Sequence, residues 1–394
     1  MLVHKSKLES AAESFIEEGD ILITRTGAKA GATARVPRLD RTYCVSSHSL
    51  RLIPNKTKVD SQYLEAFLLS IWGKTQLEHS MTGAAQRQLQ IAGIGPLLVP
   101  VPPLDVQVHL VDILEAARIV YRQKLQEADA LLAGLDGFVL DALGLTLPPP
   151  DTRTVYAVSA HDAQKAKKLY PDFFHPERVN TIRKIEDRFK DRQAPRLVSI
   201  ADFVRDQCIV SPEDNYRGLA NIQSNTGERM ESTDDDGKGN CFKYIEGDVL
   251  FARLRPYLNK VYRAESDGVC STEFHVIRVH KDKTGRSRLI PDYVAAVLRS
   301  NLVLSQTRHM MTGNTHPRLT NEDVVNLIIP NPDRTIQQRI ADEVAHRRVK
   351  ARQLRSDAEL LWREAKHRFE EELLRPVPVP EESKTGHNKG RKMT

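Results

Sequence analysis

The chain has 394 residues, with 58 Lys and Arg against 52 Asp and Glu, for a formal charge of +6. At roughly 100–200 residues per domain this length makes two or three domains, and 40% hydrophobic with 28% charged residues supports a folded core. Cys44, Cys208, Cys241 and Cys270 form no Cys-x-x-Cys pair, the start has no apolar signal core, and prolines interrupt the apolar stretch at 89–104, so a disulfide scaffold, a zinc ribbon, secretion and membrane spanning are excluded and a cytoplasmic location is expected.

Along the chain the first pattern met is met again. Glu18-Gly19-Asp20-Ile21-Leu22 returns as Glu246-Gly247-Asp248-Val249-Leu250, an offset of 228, and Arg25 falls on Arg253. Tyr63 matches Tyr293, Met81-Thr82-Gly83 matches Met311-Thr312-Gly313, and Leu89 matches Leu319. Val99-Pro100 matches Ile329-Pro330 and Gln107 matches Gln337, all at an offset of 230. An ordered series in constant register marks an internal duplication, and its length excludes a solenoid of short repeats. The first copy has no counterpart to residues 173–228 of the second.

Within 21–88, ten basic residues stand against four acidic ones; within 249–318, twelve stand against five. These two lobes therefore carry +13 and the rest of the chain −7. Strand-type runs cover 248–254 and 273–279, with Arg253, Arg255, Lys260 and Arg263 around Tyr257 and Tyr262. Basic lobes with polar tips suit DNA, because Lys and Arg neutralise phosphates while Arg, Asn and Gln read base edges.

From Asp105 the apolar residues run Leu110, Leu114, Ala117, Tyr121, Leu125, Ala128, Leu132, Leu135, Val139, Ala142. In the second copy they run Ile340, Val344, Ala351, Leu354, Ala358, Leu361, Ala365, Phe369, Leu373. Steps of three and four predict two helices about 55–60 Å long at ~1.5 Å per residue, packed seam to seam. Asp105 is the expected N-cap of the first. Thr335 with Gln338 is the expected capping box of the second. Gly144 and Pro148 end the first helix and Pro376 the second. The Pro-rich, basic tail from 376 is expected to be extended and disordered.

Catalytic motifs are missing. There is no P-loop, no Gly-x-Ser-x-Gly elbow and no His-Glu-x-x-His. Asn331-Pro332-Asp333 lacks the second proline and the aromatic residue of an amino-methyltransferase motif and reads as a turn. Asp292 reads as a helix start. Asp234-Asp235-Asp236 reads as a solvated loop. His48, His275, His309 and His316 are not spaced as metal ligands.

Two motifs carry a resemblance: the duplicated Glu-Gly-Asp-Ile/Val-Leu, and Val99-Pro100-Val101-Pro102-Pro103-Leu104-Asp105-Val106-Gln107 running into a long helix. With Tyr170-Pro171-Asp172-Phe173-Phe174-His175-Pro176 and the early strand at 216–219, the chain resembles the specificity subunit of type I restriction-modification systems over nearly its whole length. The resemblance implies an α+β fold: two α/β target-recognition domains separated by two long helices in an antiparallel coiled coil. The segments are a first recognition domain at 1–104 lacking its early part, a helix at 105–145, a linker at 146–164, a second domain at 165–333, a helix at 334–375 and a tail at 376–394.

By the same resemblance the chain is a non-catalytic DNA-recognition subunit for a bipartite site on double-stranded DNA. Its partners are two methyltransferase subunits and restriction subunits. S-adenosylmethionine, ATP and Mg belong to those partners, and no cofactor or metal to this chain. The alternative is a clipped or decoy specificity chain that holds methyltransferase subunits without reading a full site. The DNA-facing candidates are Arg253, Arg255, Tyr257, Lys260, His275, Asn314, Thr315 and Arg318 in the second lobe, and Arg25, Lys29, Gln86 and Arg87 in the first, because loops on a rigid lobe carry recognition.

Overall fold

The structure is a computed structural model that describes residues 15–83, 87–153, 155–166, 171–190, 193–230, 239–310 and 317–375. Gln86, Asp234 to Asp236, Asn314, Thr315, His316 and the tail lie outside the described residues. The chain forms two compact units, one made of residues 1–125 and 355–394, the other of 126–354.

The first unit holds strands β1 (Phe15–Ile16), β2 (Ile21–Thr24), β3 (Thr33–Arg35), β4 (Tyr43–Cys44), β5 (Ser49–Leu52), β6 (Met81–Thr82) and β7 (Gln88–Leu89), with helices α1 (Ser61–Leu69), α2 (Ile71–His79) and α3 (Ile91–Ile94). Helix α4 (Leu104–Ala133) crosses from it into the second unit and is followed by α5 (Leu135–Leu143). The second unit continues with α6 (Ala160–Ala166), α7 (Pro176–Arg188), β8 (Ala201–Val204), β9 (Gln207–Ile209), β10 (Tyr216–Arg217), β11 (Asn240–Tyr244), β12 (Val249–Ala252), β13 (Val261–Arg263), β14 (Gly268–Ser271), β15 (Phe274–Val279), α8 (Pro291–Arg299), α9 (Asn301–Thr307) and α10 (Asn321–Val325). Helix α11 (Arg334–Leu373) ends in the first unit.

The duplication is structural. In the first copy β2 pairs antiparallel with β3 and β5; in the second β12 pairs antiparallel with β13 and β15. The second copy adds β8 beyond β15, giving the order β13-β12-β15-β8. The counterpart of the β1-β4 pair is β11-β14, which is widened by β9 and β10 into a four-stranded sheet. The added strands β8, β9 and β10 all come from residues 173–228, and among the described residues the exposed pair Tyr43 and Cys44 has no strand beyond it. Cys208 and Cys241 meet across β9 and β11 with their sulfurs 3.1 Å apart, although they are distant in sequence.

Both motifs have a physical reason. In Glu-Gly-Asp the glycine takes a left-handed turn, φ +91° at Gly19 and +88° at Gly247, which a side chain would disfavour. The aspartate that follows is buried; it accepts the backbone N–H three residues back and holds an arginine from an adjoining strand, β5 in the first copy and β15 in the second. These contacts are Asp20 to Glu17 N (2.8 Å) and Arg51 Nε (2.6 Å), and Asp248 to Ile245 N (2.9 Å) and Arg278 Nε and Nη2 (2.8 and 2.7 Å). In the proline motif the glutamine side chain clamps the loop: Gln107 Nε2 donates to Pro102 O and its Oε1 accepts Asp60 N, while Gln337 Nε2 donates to Pro332 O and its Oε1 accepts Ile290 N. Tyr63 and Tyr293, both fully buried, donate to Pro100 O and Pro330 O at 2.8 Å.

The long helices run antiparallel within each unit. In the first unit Tyr121 Oη donates to Glu359 at 2.8 Å, and Lys124 meets Asp357 at 3.6 Å. In the second, Lys350 meets Glu127 at 3.4 Å and Arg347 donates to Gly134 O at 3.0 Å. Leu110, Leu114, Ala117, Ala128, Leu132, Leu135 and Val139 are buried, as are Ile340, Val344, Ala351, Ala358, Ala365 and Phe369, so the seam residues read from the 3.5-residue rhythm are the ones that face inward. A matching acidic contact steadies each lobe on the helices: Glu370 accepts Ile71 N at 2.7 Å, and Asp136 accepts Asn301 N at 2.7 Å.

Three details differ from expectation. The second helix begins at Arg334, so Thr335 lies inside it and forms no capping box; Gln338 bonds forward to Asp342 instead. The first begins at Leu104, which places Asp105 in its first turn. It also breaks at Gly134, whose carbonyl is taken by Arg347, so α4 and α5 are two segments. Gly144 then ends α5 in the left-handed conformation, as expected. No helix among the described residues is long and apolar enough to cross a membrane.

Candidate nucleic-acid interface

The central strand of each lobe runs out into the same tip. Arg25 N donates to His48 O, and Arg25 O accepts Leu89 N. Arg253 N donates to Glu273 O, and Arg253 O accepts Leu319 N. The next residue makes an isolated bridge in each copy, Thr26 with Gln88 and Leu254 with Arg318. The tip is then bracketed by two left-handed residues, Gly27 (φ +96°) and Gly31 (φ +84°) in the first lobe, Arg255 (φ +48°) and Asn259 (φ +50°) in the second. Arg255 holds this sparsely populated conformation with its N–H on Pro317 O at 2.8 Å. The second tip is thereby stiff, and it presents Arg255 and a half-exposed Tyr257 to solvent.

The structure thus brings Arg253, Arg255, Tyr257 and Arg318 to one end of the β12 sheet, and Arg25, Lys29 and Arg87 to the same end of the first lobe, with Lys29 and Arg87 exposed. Arg318 is engaged by Glu273, with Nη2 to Oε1 at 2.7 Å and Nε to Oε2 at 3.1 Å, and Arg253 approaches the same carboxylate at 4.0 Å. One acid therefore aims two guanidiniums. Lys260 is half-buried and donates from Nζ to Leu219 O at 2.7 Å, which ties the strand end to the turn at Leu219–Asn221.

His275 corrects the sequence reading. It lies on β15 and is only 6% exposed, edge-on to Phe203, and among the described residues its Nε2 has no hydrogen-bond partner. The sheet is covered on both faces. Val249, Phe251, Ile277 and Val279 enter the helical core, while Leu250, Ala252, Phe274 and Val276 enter the core of the second sheet. A histidine on such a strand cannot lie at the surface.

Burial, then Arg253 and Arg205, pull His275 down to about 4, so it is neutral near pH 7. The unfolded value is higher, about 6.5, so the unfolded chain takes the proton first. The stability that this residue contributes is fully present above about pH 6.5 and is lost as the pH falls through 4, about 3 kcal/mol in all. Acidification from pH 7 to 4 is expected to lower the unfolding midpoint of the second unit, and His275→Phe to flatten that dependence. Parallel losses in variant and wild type would place the acid sensitivity elsewhere.

Beside Arg253 lies a cleft of about 120 Å³, lined also by Arg205, Gln207 and Asn321, which sequence reasoning passed over. Arg205 precedes β9 and Gln207 opens it, within 173–228, where no repeat match pointed to them.

One group among the described residues has the donors of a metal centre: His175, Glu177 and His309, with ligand atoms within 4.8 Å of one another. Its geometry favours a hydrogen-bonded knot. Glu177 already accepts Arg308 Nη1 and His309 Nε2, each at 2.8 Å, and the imidazoles stack at 3.4 Å with planes 12° apart, so their ring lone pairs do not converge. The knot ties the start of α7 to the end of α9.

Residues 3–126 match the model of the type I restriction modification DNA specificity domain. A comparison with curated proteins found no match. Among solved structures, a chain from the work on complex assembly and conformational transition of a type I restriction-modification system is 16% identical. It covers 91% of this chain and 81% of its own length with a TM-score of 0.51, a likeness of fold. The HsdS subunit of Thermoanaerobacter tengcongensis is 18% identical, over 91% of this chain and 80% of its own, with a TM-score of 0.36. The type I restriction-modification S subunit of M. genitalium is 11% identical, over 93% and 85%, with a TM-score of 0.40. Residues 3–126 are thus similar to the type I restriction modification DNA specificity domain, and the second lobe rebuilds the same motifs, strands and tip.

Proposed function

We propose that the chain reads double-stranded DNA with the two tips, each lobe addressing one part of a bipartite site, and that the helix pair carries two methyltransferase subunits to which restriction subunits join. The chain itself is the non-catalytic DNA-recognition subunit. S-adenosylmethionine, ATP and Mg would act in the partners, where the chemistry of adenine methylation and cleavage resides. The observation that supports the reading best is the twofold tip. The same backbone path leaves the central strand at Arg25 and at Arg253, in lobes that are each strongly basic. Phosphate contacts supply affinity and salt dependence, while a stiff tip with Arg and Tyr supplies contact with base edges.

The test is duplex affinity against salt for the full chain. Arg253→Ala and Arg318→Ala are each expected to reduce the slope of log K against log salt by about one unit and to weaken binding across sequences. Unchanged affinity and slope in both variants would remove this face from the interface.

A further inference from the structure

The cavity between α8, α11 and the end of β13 has about 100 Å³ of free space and is lined by Arg263, Arg299, Arg348 and Arg352. Three of these guanidiniums are paired. Arg263 Nε meets Asp292 at 3.4 Å, Arg348 Nε meets Glu228 at 3.0 Å, and Arg352 Nη1 meets Glu228 at 3.3 Å and Glu265 at 3.9 Å. Arg299 is only 6% exposed, and among the described residues its guanidinium has neither a hydrogen bond nor an ion pair; Glu228 and Asp136 attract it only at longer range. Its Nη1 sits beside Arg348 Nη2 over Gly227, where a Cβ would lie 3.1 and 3.0 Å from the two nitrogens and 2.0 Å from Val261 O. Burial and the charge of Arg348 pull Arg299 down to about 9. A buried charge without a partner is costly enough that proteins supply one.

The first copy has the same cavity in the same place. Gln62, Ala66, Leu69, Leu114 and Arg118 line it, at an offset of 230 from Asp292, Ala296, Arg299, Val344 and Arg348. There a leucine occupies the position of Arg299, and Trp362 and Phe369 complete the lining. The fold therefore closes this corner without a cation at the Arg299 position, and the arginine found there in the second copy is an addition to it.

We propose that this cavity of the second unit is an oxyanion site that takes one tetrahedral group of the phosphate class, with Arg299 and Arg348 as its inner donors and Arg263 and Arg352 at its rim. Guanidiniums match phosphate oxygens in geometry and charge. Glu265 and Asp292 offset part of the positive charge, which favours a singly charged anion. The site does not depend on the DNA-reading role of the tips.

The experiment is calorimetric titration of the full chain with inorganic phosphate at constant ionic strength, beside Arg299→Leu, which installs the residue of the first copy. One phosphate per wild-type chain is expected, with affinity lowered roughly ten- to a hundredfold in the variant, the loss of one charge-assisted contact. Adding duplex DNA separates the two sources of the group. Competition between duplex and phosphate that disappears in Arg299→Leu makes it a DNA backbone phosphate, and simultaneous binding makes it a free anion. A wild-type chain that takes up no phosphate overturns the proposal whatever the variant does, and so does equal binding by both chains.

Discussion

Asp248→Ala should destabilise the second unit by about 3 kcal/mol or more, the range for breaking a buried ion pair. Asp248 is 2% exposed and holds Arg278 through two nitrogens while accepting Ile245 N. Removing the carboxylate leaves the arginine without its partner on β15 and leaves the turn at Gly247 without its lock. Arg278 is 37% exposed and can turn to water, which keeps the loss near the lower end. The double variant with Arg278→Ala should cost less than the sum of the singles, because the two losses are one interaction. Denaturant unfolding of the three variants measures this. Additive losses would mean that the Glu-Gly-Asp motif works through the turn alone.

Phe369→Ala should destabilise the first unit by about 3–5 kcal/mol, the usual cost of emptying a buried aromatic position. Phe369 is 1% exposed, 6.4 Å from the Tyr63 ring, and shares a core with Leu110, Val111, Leu114 and Ala365. It joins the C-terminal half of α11 to α4 and to α1 at once. Hydrogen exchange should show lost protection in α1 and the first half of α4, with β12 and β15 unchanged. A loss confined to α11 would show that the helix seam does not hold this lobe.

How much of this was legible beforehand depends on periodicity and on cover. The seam could be read because one face of each helix is apolar at steps of three and four, and the buried positions from Leu110 to Val139 follow it. The place of Arg253 followed from the repeat, since Arg25 stands at the matching place and Leu89 matches the Leu319 that bonds to it. His275 could not be placed, because β15 is buried on both faces and alternation carries no signal there. Glu273 was invisible as the partner of Arg318, a contact across 45 residues of chain. The expected caps were misplaced by two residues: the helices begin at Leu104 and Arg334, so Asp105 and Thr335 lie in the first turn, because a good cap residue does not by itself fix where the helix starts.

The central claim is that this chain chooses DNA by sequence. Selection from a pool of randomised duplexes by the full chain, followed by sequencing of the bound fraction, tests it most directly. Enrichment of a defined sequence that weakens when Arg253 is replaced is expected, above a background of salt-sensitive binding. A bound fraction with the composition of the starting pool would contradict it, and would leave two basic lobes that hold DNA without reading it.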